Sequence, residues 1–138
     1  MSRSALPGLA AALTFAAPAL AAGPADIDAL RWKSRLLVVV APSADDLRIA
    51  RQRQLLAAGQ AGSRERDLVL VEAVGPAGAA TRKRFDVPEG AFRAILVGKD
   101  GGAKLSDDAP IAPERLFAEI DTMPMRRDEM HEARRTPR

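Results

Sequence analysis

Residues 92–106 read FRAILVGKDGGAKLS, and residues 120–130 read IDTMPMRRDEM. The first stretch is two strand-like runs, Phe92 to Val97 and Ala103 to Ser106, joined by Gly98-Lys99-Asp100-Gly101-Gly102. Asp-Gly in so short a connection signals a hairpin, because the turn demands positive φ. Between the two stretches, Pro113 opens a helix at a position where the missing amide costs nothing. Leu116, Phe117 and Ile120 give that helix one apolar face, and Pro124 ends it.

Upstream, Leu36 to Val40 is a continuous Val-rich run, the pattern of a strand buried on both faces of a sheet. Pro42 ends it. Ser43-Ala44-Asp45-Asp46 then reads as a helix entry, with Ser43 accepting from the amide three residues on and two carboxylates at the positive end of the dipole. This helix is expected to reach Ala58 and to stop at Gly59 to Gly62. Leu47, Ile49, Ala50 and Leu56 are expected to face the sheet, with Arg48, Arg51 and Arg53 toward water. Asp67 to Val74 forms the next strand, residues 76–80 a loop, and Thr81 begins a short polar helix to about Phe85. Two strands joined through a helix run parallel, the last two form an antiparallel hairpin, and helices must cover the sheet. The expected class is therefore α/β, a mixed four-stranded sheet flanked by helices in the thioredoxin-like order.

The chain has 138 residues, 47% hydrophobic and 28% charged, which fits one globular domain. Residues 1–21 read as a secretory signal: Arg3, an apolar run from Leu9 to Ala17, then Ala19-Leu20-Ala21 before the cut. The apolar run is broken by Pro7, Gly8 and Pro18 and is shorter than the roughly 20 residues of a membrane span. The expected organisation is a signal at 1–21, a domain at 22–131 and a flexible tail at 132–138. The expected location is periplasmic or secreted, with no span in the mature chain.

Export permits disulfides, yet cysteine is absent. Neither a disulfide framework nor a thiol nucleophile exists, and composition alone excludes thiol exchange. The net charge is +3, but Arg and Asp or Glu alternate along the chain, and there are only four Phe and one Trp. The interleaved basic and aromatic surface of a single-strand nucleic-acid binder is missing, so no nucleic-acid partner is expected.

RLLVVVAPSADD at 35–46, RDLVLVEAV at 66–74, FRAILVGKDGGAKL at 92–105 and LFAEIDTMPMRRDEM at 116–130 closely resemble, in this order and spacing, the family called domain of unknown function 4174. The resemblance spans roughly residues 26 to 131, and VGKDGG followed by IDTMPMR is its specific part. It implies a thioredoxin-like domain that is exported, in bacteria and within extracellular-matrix proteins of animals. It implies no assigned activity. Where redox-active thioredoxins carry their cysteine pair, this chain reads Ala41-Pro42-Ser43-Ala44-Asp45-Asp46, and near the place of their cis-proline stands Arg93.

Other chemistry is sparse. Gly98-Lys99 lacks the upstream glycine and the following Ser or Thr of a phosphate loop. Asp45 and Asp46 are candidates for acid–base work, against their simpler role at a helix start. His131 is the only histidine and has no triad partner. Met123, Met125, Met130 and His131 are soft ligands suited to Cu(I). On a helix starting near Met125, however, Met130 lies about 140° away, and flexible Met side chains also fill gaps beside a helix end. Arg126 and Arg127 offer carboxylate or phosphate contacts, or are the solvated start of a mixed-charge helix. Trp32 is expected to pack across the sheet edge.

Two function classes follow. One is a non-catalytic binding or adaptor module of the cell envelope, with an envelope protein or matrix component as partner and Asp45, Asp46, Met123, Met125 and Arg126 as candidate binding residues. The other is a small enzyme using Asp45, Asp46 and Arg126 on an anionic substrate. No catalytic residue, metal site or cofactor is assigned on either reading.

Overall fold

The computed structural model describes residues 22–136; the expected signal and residues 137–138 lie outside them. In chain order the elements are α1 (Asp26–Ala29), β1 (Arg35–Ala41), α2 (Leu47–Ala58), α3 (Gln60–Glu65), β2 (Leu68–Val74), a 3-10 turn (Gly75–Gly78), α4 (Ala79–Arg84), β3 (Arg93–Val97), β4 (Ala103–Asp107), α5 (Pro113–Asp121) and α6 (Pro124–Arg135). The fold is α/β, with an open mixed sheet in the order β2-β1-β3-β4. β1 runs parallel to β2 and antiparallel to β3, and β3 pairs antiparallel with β4.

All seven residues of β1 are buried, as its Val-rich run requires. Side-chain alternation divides them between two cores. Leu37, Val39 and Ala41 join Ile49, Phe92, Leu116 and Ile120 beneath α2 and α5. Leu36, Val38 and Val40 join Ile27, Val71, Val87 and Ile95 on the α1 and α4 face. Arg35 has the parity of Leu37 and Val39, so the fold draws its side chain onto the α2 and α5 face. The hairpin turn closes through Gly101 at φ +86°, with Asp100 Oδ1 accepting from Gly102 N at 2.9 Å.

Several details differ from expectation. The cap of α2 is Asp46, not Ser43, so the helix starts later. Its inward face is then Ile49, Gln52 and Leu56, while Leu47 is 83% exposed and Ala50 is exposed. Gln52 is fully buried, and its amide donates to Ile111 O at 2.9 Å and accepts from Ile111 N at 2.7 Å. Gly59 ends α2 after Ala58 as expected, but the chain turns helical again at once, because α3 begins at Gln60 and runs through Gly62. Gly62 is required by close packing: a Cβ there would stand 2.5 Å from the Phe117 ring. Residues 132–135, expected in a flexible tail, continue α6 to Arg135. Trp32 does not pack across the sheet edge; it is 59% exposed.

Candidate functional site

Polar chemistry concentrates where β1 and β2 begin. Arg35, at the first position of β1, is 1% exposed. Its Nη1 and Nη2 donate to the two carboxylate oxygens of Glu129 on α6 at 3.1 and 3.2 Å, and Nη1 also donates to Arg66 O at 2.9 Å. Lys99, from the hairpin turn, donates to Glu129 Oε1 at 2.5 Å and to Asp67 Oδ2 at 2.9 Å. One turn before Glu129, Arg126 donates to Asp121 Oδ1 at 3.1 Å and to Glu65 Oε1 at 2.8 Å. Arg66 grips both oxygens of Asp121 at 3.0 and 2.9 Å and lies over the Phe117 ring.

These contacts set the charge states. Burial acts to raise the Glu129 carboxyl, but the hydrogen bonds from Arg35 and Lys99 outweigh it and hold the group below its ordinary 4.5. Arg66 holds Asp121 below its ordinary 3.8 against the opposing effect of burial, with Arg126 adding to the depression. For Lys99, burial favours the neutral form, and Glu129 with Asp67 more than reverses it, raising the group. Glu129 and Asp121 are thus held in the ionised form at neutral pH, and both are shifted away from the range of a general acid.

Arg126 is 4% exposed, so its reading as a solvated helix start is corrected: Pro124 at the first helical position aims the next turn at the sheet end, where Glu65 and Asp121 wait. Asp46 is at the other end of the sheet. It caps α2 through Arg48 N at 3.0 Å and is held by the Arg48 guanidinium at 2.9 and 2.7 Å, which lowers its pKa. Asp45 beside it is exposed. The length of β1, roughly 20 Å at about 3.3 Å per residue, separates Asp45 and Asp46 from Arg126. The structure therefore does not bring together the three residues on which the enzyme reading depends.

Met123 and Met125 do meet. With Trp32, Pro124, Thr122, Glu119, Arg35, Lys99 and Lys104 they line an open groove of about 460 Å³. Met123 packs partly into the core, whereas Met125 is 39% exposed. Met130 lines a different cleft of about 410 Å³ with Glu65, Asp67, Arg126 and Arg134. The methionines among the soft ligands are thus split between two surfaces, and His131 lines neither. Trp32 has φ +69°, a conformation uncommon for a bulky side chain; its amide donates to Lys99 O at 2.7 Å, and Arg31 stacks on its ring at 5.2 Å.

Neither Arg35 nor Glu129 is singled out by the sequence, Lys99 is read there only as part of the hairpin turn, and Trp32 is placed across the sheet edge instead of in a groove. Arg35 carried a usable signal, a charge in step with a buried strand face; Trp32 carried none, since its backbone conformation is set by a contact 67 positions downstream.

The fold and this end of the sheet define a small α/β domain with an internal ion-pair network beside an apolar groove. Residues 26–129 match the family described as Domain of unknown function (DUF4174), and the chain belongs to that family. It is also similar to the Sushi repeat-containing protein SRPX of Rattus norvegicus and of Homo sapiens, 32% identical to each over 120 residues. Those matches cover 75% of this chain and 26% of the relative, so the chain spans about a quarter of the length of these relatives. No solved structure matches it.

Proposed function

We propose that this chain is an exported, thioredoxin-like, non-catalytic binding module of the cell envelope, which engages an envelope protein or matrix component through the Trp32–Met123–Pro124–Met125 groove. One observation carries the reading. Of the three large hydrophobic side chains that stand exposed among the described residues, Trp32 and Met125 line the same groove, next to the half-buried Met123. An exposed tryptophan gathered with methionines is the composition of the core of a protein-recognition patch.

Other features support it. The segment after β1 supplies a helix cap and an ion pair in place of reactive groups, and in the charged cluster Glu129 and Asp121 are kept ionised by their own partners. The signal-like residues 1–21 and the lack of cysteine fit an exported protein without thiol chemistry. A relative in which the matching region occupies about a quarter of a longer chain fits a module that works by binding.

A photo-crosslinking residue at Met125 of the protein in its native envelope, followed by mass spectrometry, tests the proposal. A discrete partner should be captured from position 125 and not from Leu47, which is the more accessible of the two and lies at the opposite end of β1. Trp32→Ala should abolish that capture. Equal yields from both positions would sink the groove reading. Intact mass of the same preparation should give a chain that starts at Ala22, and retention of residues 1–21 would remove the exported, cleaved form.

A further inference from the structure

The last helix is fastened by charge. Of the twelve residues in Pro124–Arg135 only Arg126 is buried, and no continuous apolar stripe faces the sheet. Its anchorage comes from two side chains one turn apart, Arg126 on Glu65 and Asp121, and Glu129 on Arg35 and Lys99.

The two anchors are built differently. The carboxylate of Glu65 stands largely in water, so Arg126 enters a partly hydrated setting. Arg35 belongs to the sheet, is almost wholly buried, and its Nε has no hydrogen-bond partner among the described residues. A buried guanidinium must have an anion to be tolerated. Here the anion comes from a helix that little else holds. Arg35 and Lys99 also line the groove of Trp32, so their cradle can be approached from the open side.

We propose that Arg35 and Lys99 form a carboxylate-binding site, that Glu129 is its internal occupant, and that an acidic side chain in a peptide segment of a partner replaces Glu129 when α6 swings away. Arg35 presents two parallel N–H groups to the two oxygens of one carboxylate, and Lys99 adds a point charge on one of them. The charge count selects the ligand. With α6 swung away, taking Glu129 and the neighbouring Arg126 with it, the cradle holds Arg35, Lys99 and the Lys99-bound Asp67, a net of one positive charge, which matches one carboxylate and not a doubly charged phosphate. Trp32, Met123 and Met125 alongside accept an apolar residue next to the acid. Thr122 and Met123, between α5 and α6, are where the chain must bend. The inference rests on the binding-module reading and names the chemistry that the partner presents.

Trp32 is the only tryptophan in the chain, so its fluorescence reports on the groove. The probe is a capped peptide, Leu-Glu-Leu between alanines, acetylated and amidated so that the Glu side chain is its only charge, with the Gln version as control. Glu129→Gln should bind the Glu peptide at least tenfold more tightly than the unaltered protein does and ignore the Gln peptide; adding Lys99→Met should cancel the gain. In the unaltered protein, amide exchange across 124–135 should speed up with saturating Glu peptide alone. Equal affinity of E129Q for the two peptides, or α6 exchange indifferent to both, would overturn the proposal, and the exchange measurement decides by itself if E129Q does not fold. Peptide indifference together with a Met125 crosslink removes the cradle and leaves the binding module; peptide binding without the crosslink does the reverse.

Discussion

The Arg35 guanidinium closes on both carboxylate oxygens of Glu129, at 3.1 and 3.2 Å, and so ties the first residue of the first strand to the last helix across 94 positions of sequence. The arginine is buried and the glutamate is partly open to water, so removing either partner has unequal consequences. Glu129→Gln should cost about 3 kcal/mol, because it leaves the buried Arg35 guanidinium without an anion. Arg35→Met should cost less, about 2 kcal/mol, because Glu129 is partly open to water and keeps Lys99. The double variant should fall short of the sum by about 1 kcal/mol or more, as expected for residues in direct contact. Urea melts of the four proteins measure this; strict additivity would mean that the pair contributes no coupling.

Acid should loosen the same end of the molecule. The folded-state pKa values of Glu129 and Asp121 lie below their ordinary 4.5 and 3.8. Their stabilising contribution is therefore fully present above those ordinary values and is lost as pH falls through the lowered folded ones. The urea midpoint should hold steady from pH 7 to about 5 and then fall. Part of that fall should disappear in Glu129→Gln, whose side chain does not titrate. An acid limb identical in the two proteins would show that Glu129 is not among the groups responsible.

Arg126→Ala should destabilise by about 1–3 kcal/mol, well beyond the roughly 0.5 kcal/mol typical of a surface change. Its guanidinium lies buried between α3 and α5 and donates to Glu65 and Asp121. The abandoned carboxylates reach water, which keeps the loss below that of a fully enclosed pair. A thermal melt within the surface range would contradict the burial described for Arg126.

How far the chain could be read follows from how local each determinant is. The Val run of β1, the Asp-Gly turn of the hairpin, the helix start at Pro113 and the helix break at Pro124 act over a few residues, and each was legible. The start of α2 was misplaced because Ser43 and Asp46 are both cap chemistries, and no neighbouring residue separates them. Gly59 does terminate α2, but it also admits Pro113, and Gly62 admits Phe117 from the same distant helix, which no local pattern shows. Of the candidate site, Met123 with Met125 was visible as a motif. Arg35 with Glu129, Lys99 with Asp67 and the turn that presents Trp32 depend on pairings tens of residues apart, and no local pattern encodes these.

Changing Met123 and Met125 together to Leu should leave the fold intact at a cost below about 1.5 kcal/mol, since Met123 fills space beside the core and Met125 stands at the rim. On this packing and docking reading, the original protein leaves a Cu(I) chelator undisturbed in a competition titration. Tight stoichiometric copper uptake, abolished by the Leu pair, would instead make the two thioethers ligands.

Trp32 is the sharpest case of a residue whose presence stability does not explain. It is 59% exposed and sits at φ +69°. A left-handed backbone costs a non-glycine residue roughly 1–2 kcal/mol. The compensation visible at the site is the stack with Arg31, worth roughly 0.5–1 kcal/mol when exposed. Trp32→Gly removes both, and glycine's greater freedom in the unfolded chain takes back part of the relief. Its melt should therefore lie within about 1 kcal/mol of the original on either side. Trp32→Ala keeps the backbone cost and loses the stack, so it should melt below the original by about 0.5–1 kcal/mol. Small changes in stability in both variants, with both losing the Met125 crosslink, are what a recognition residue held at some cost to the fold produces. A loss of about 3 kcal/mol or more in Trp32→Ala, the range of a buried aromatic, would make Trp32 a packing residue and remove it from the binding face.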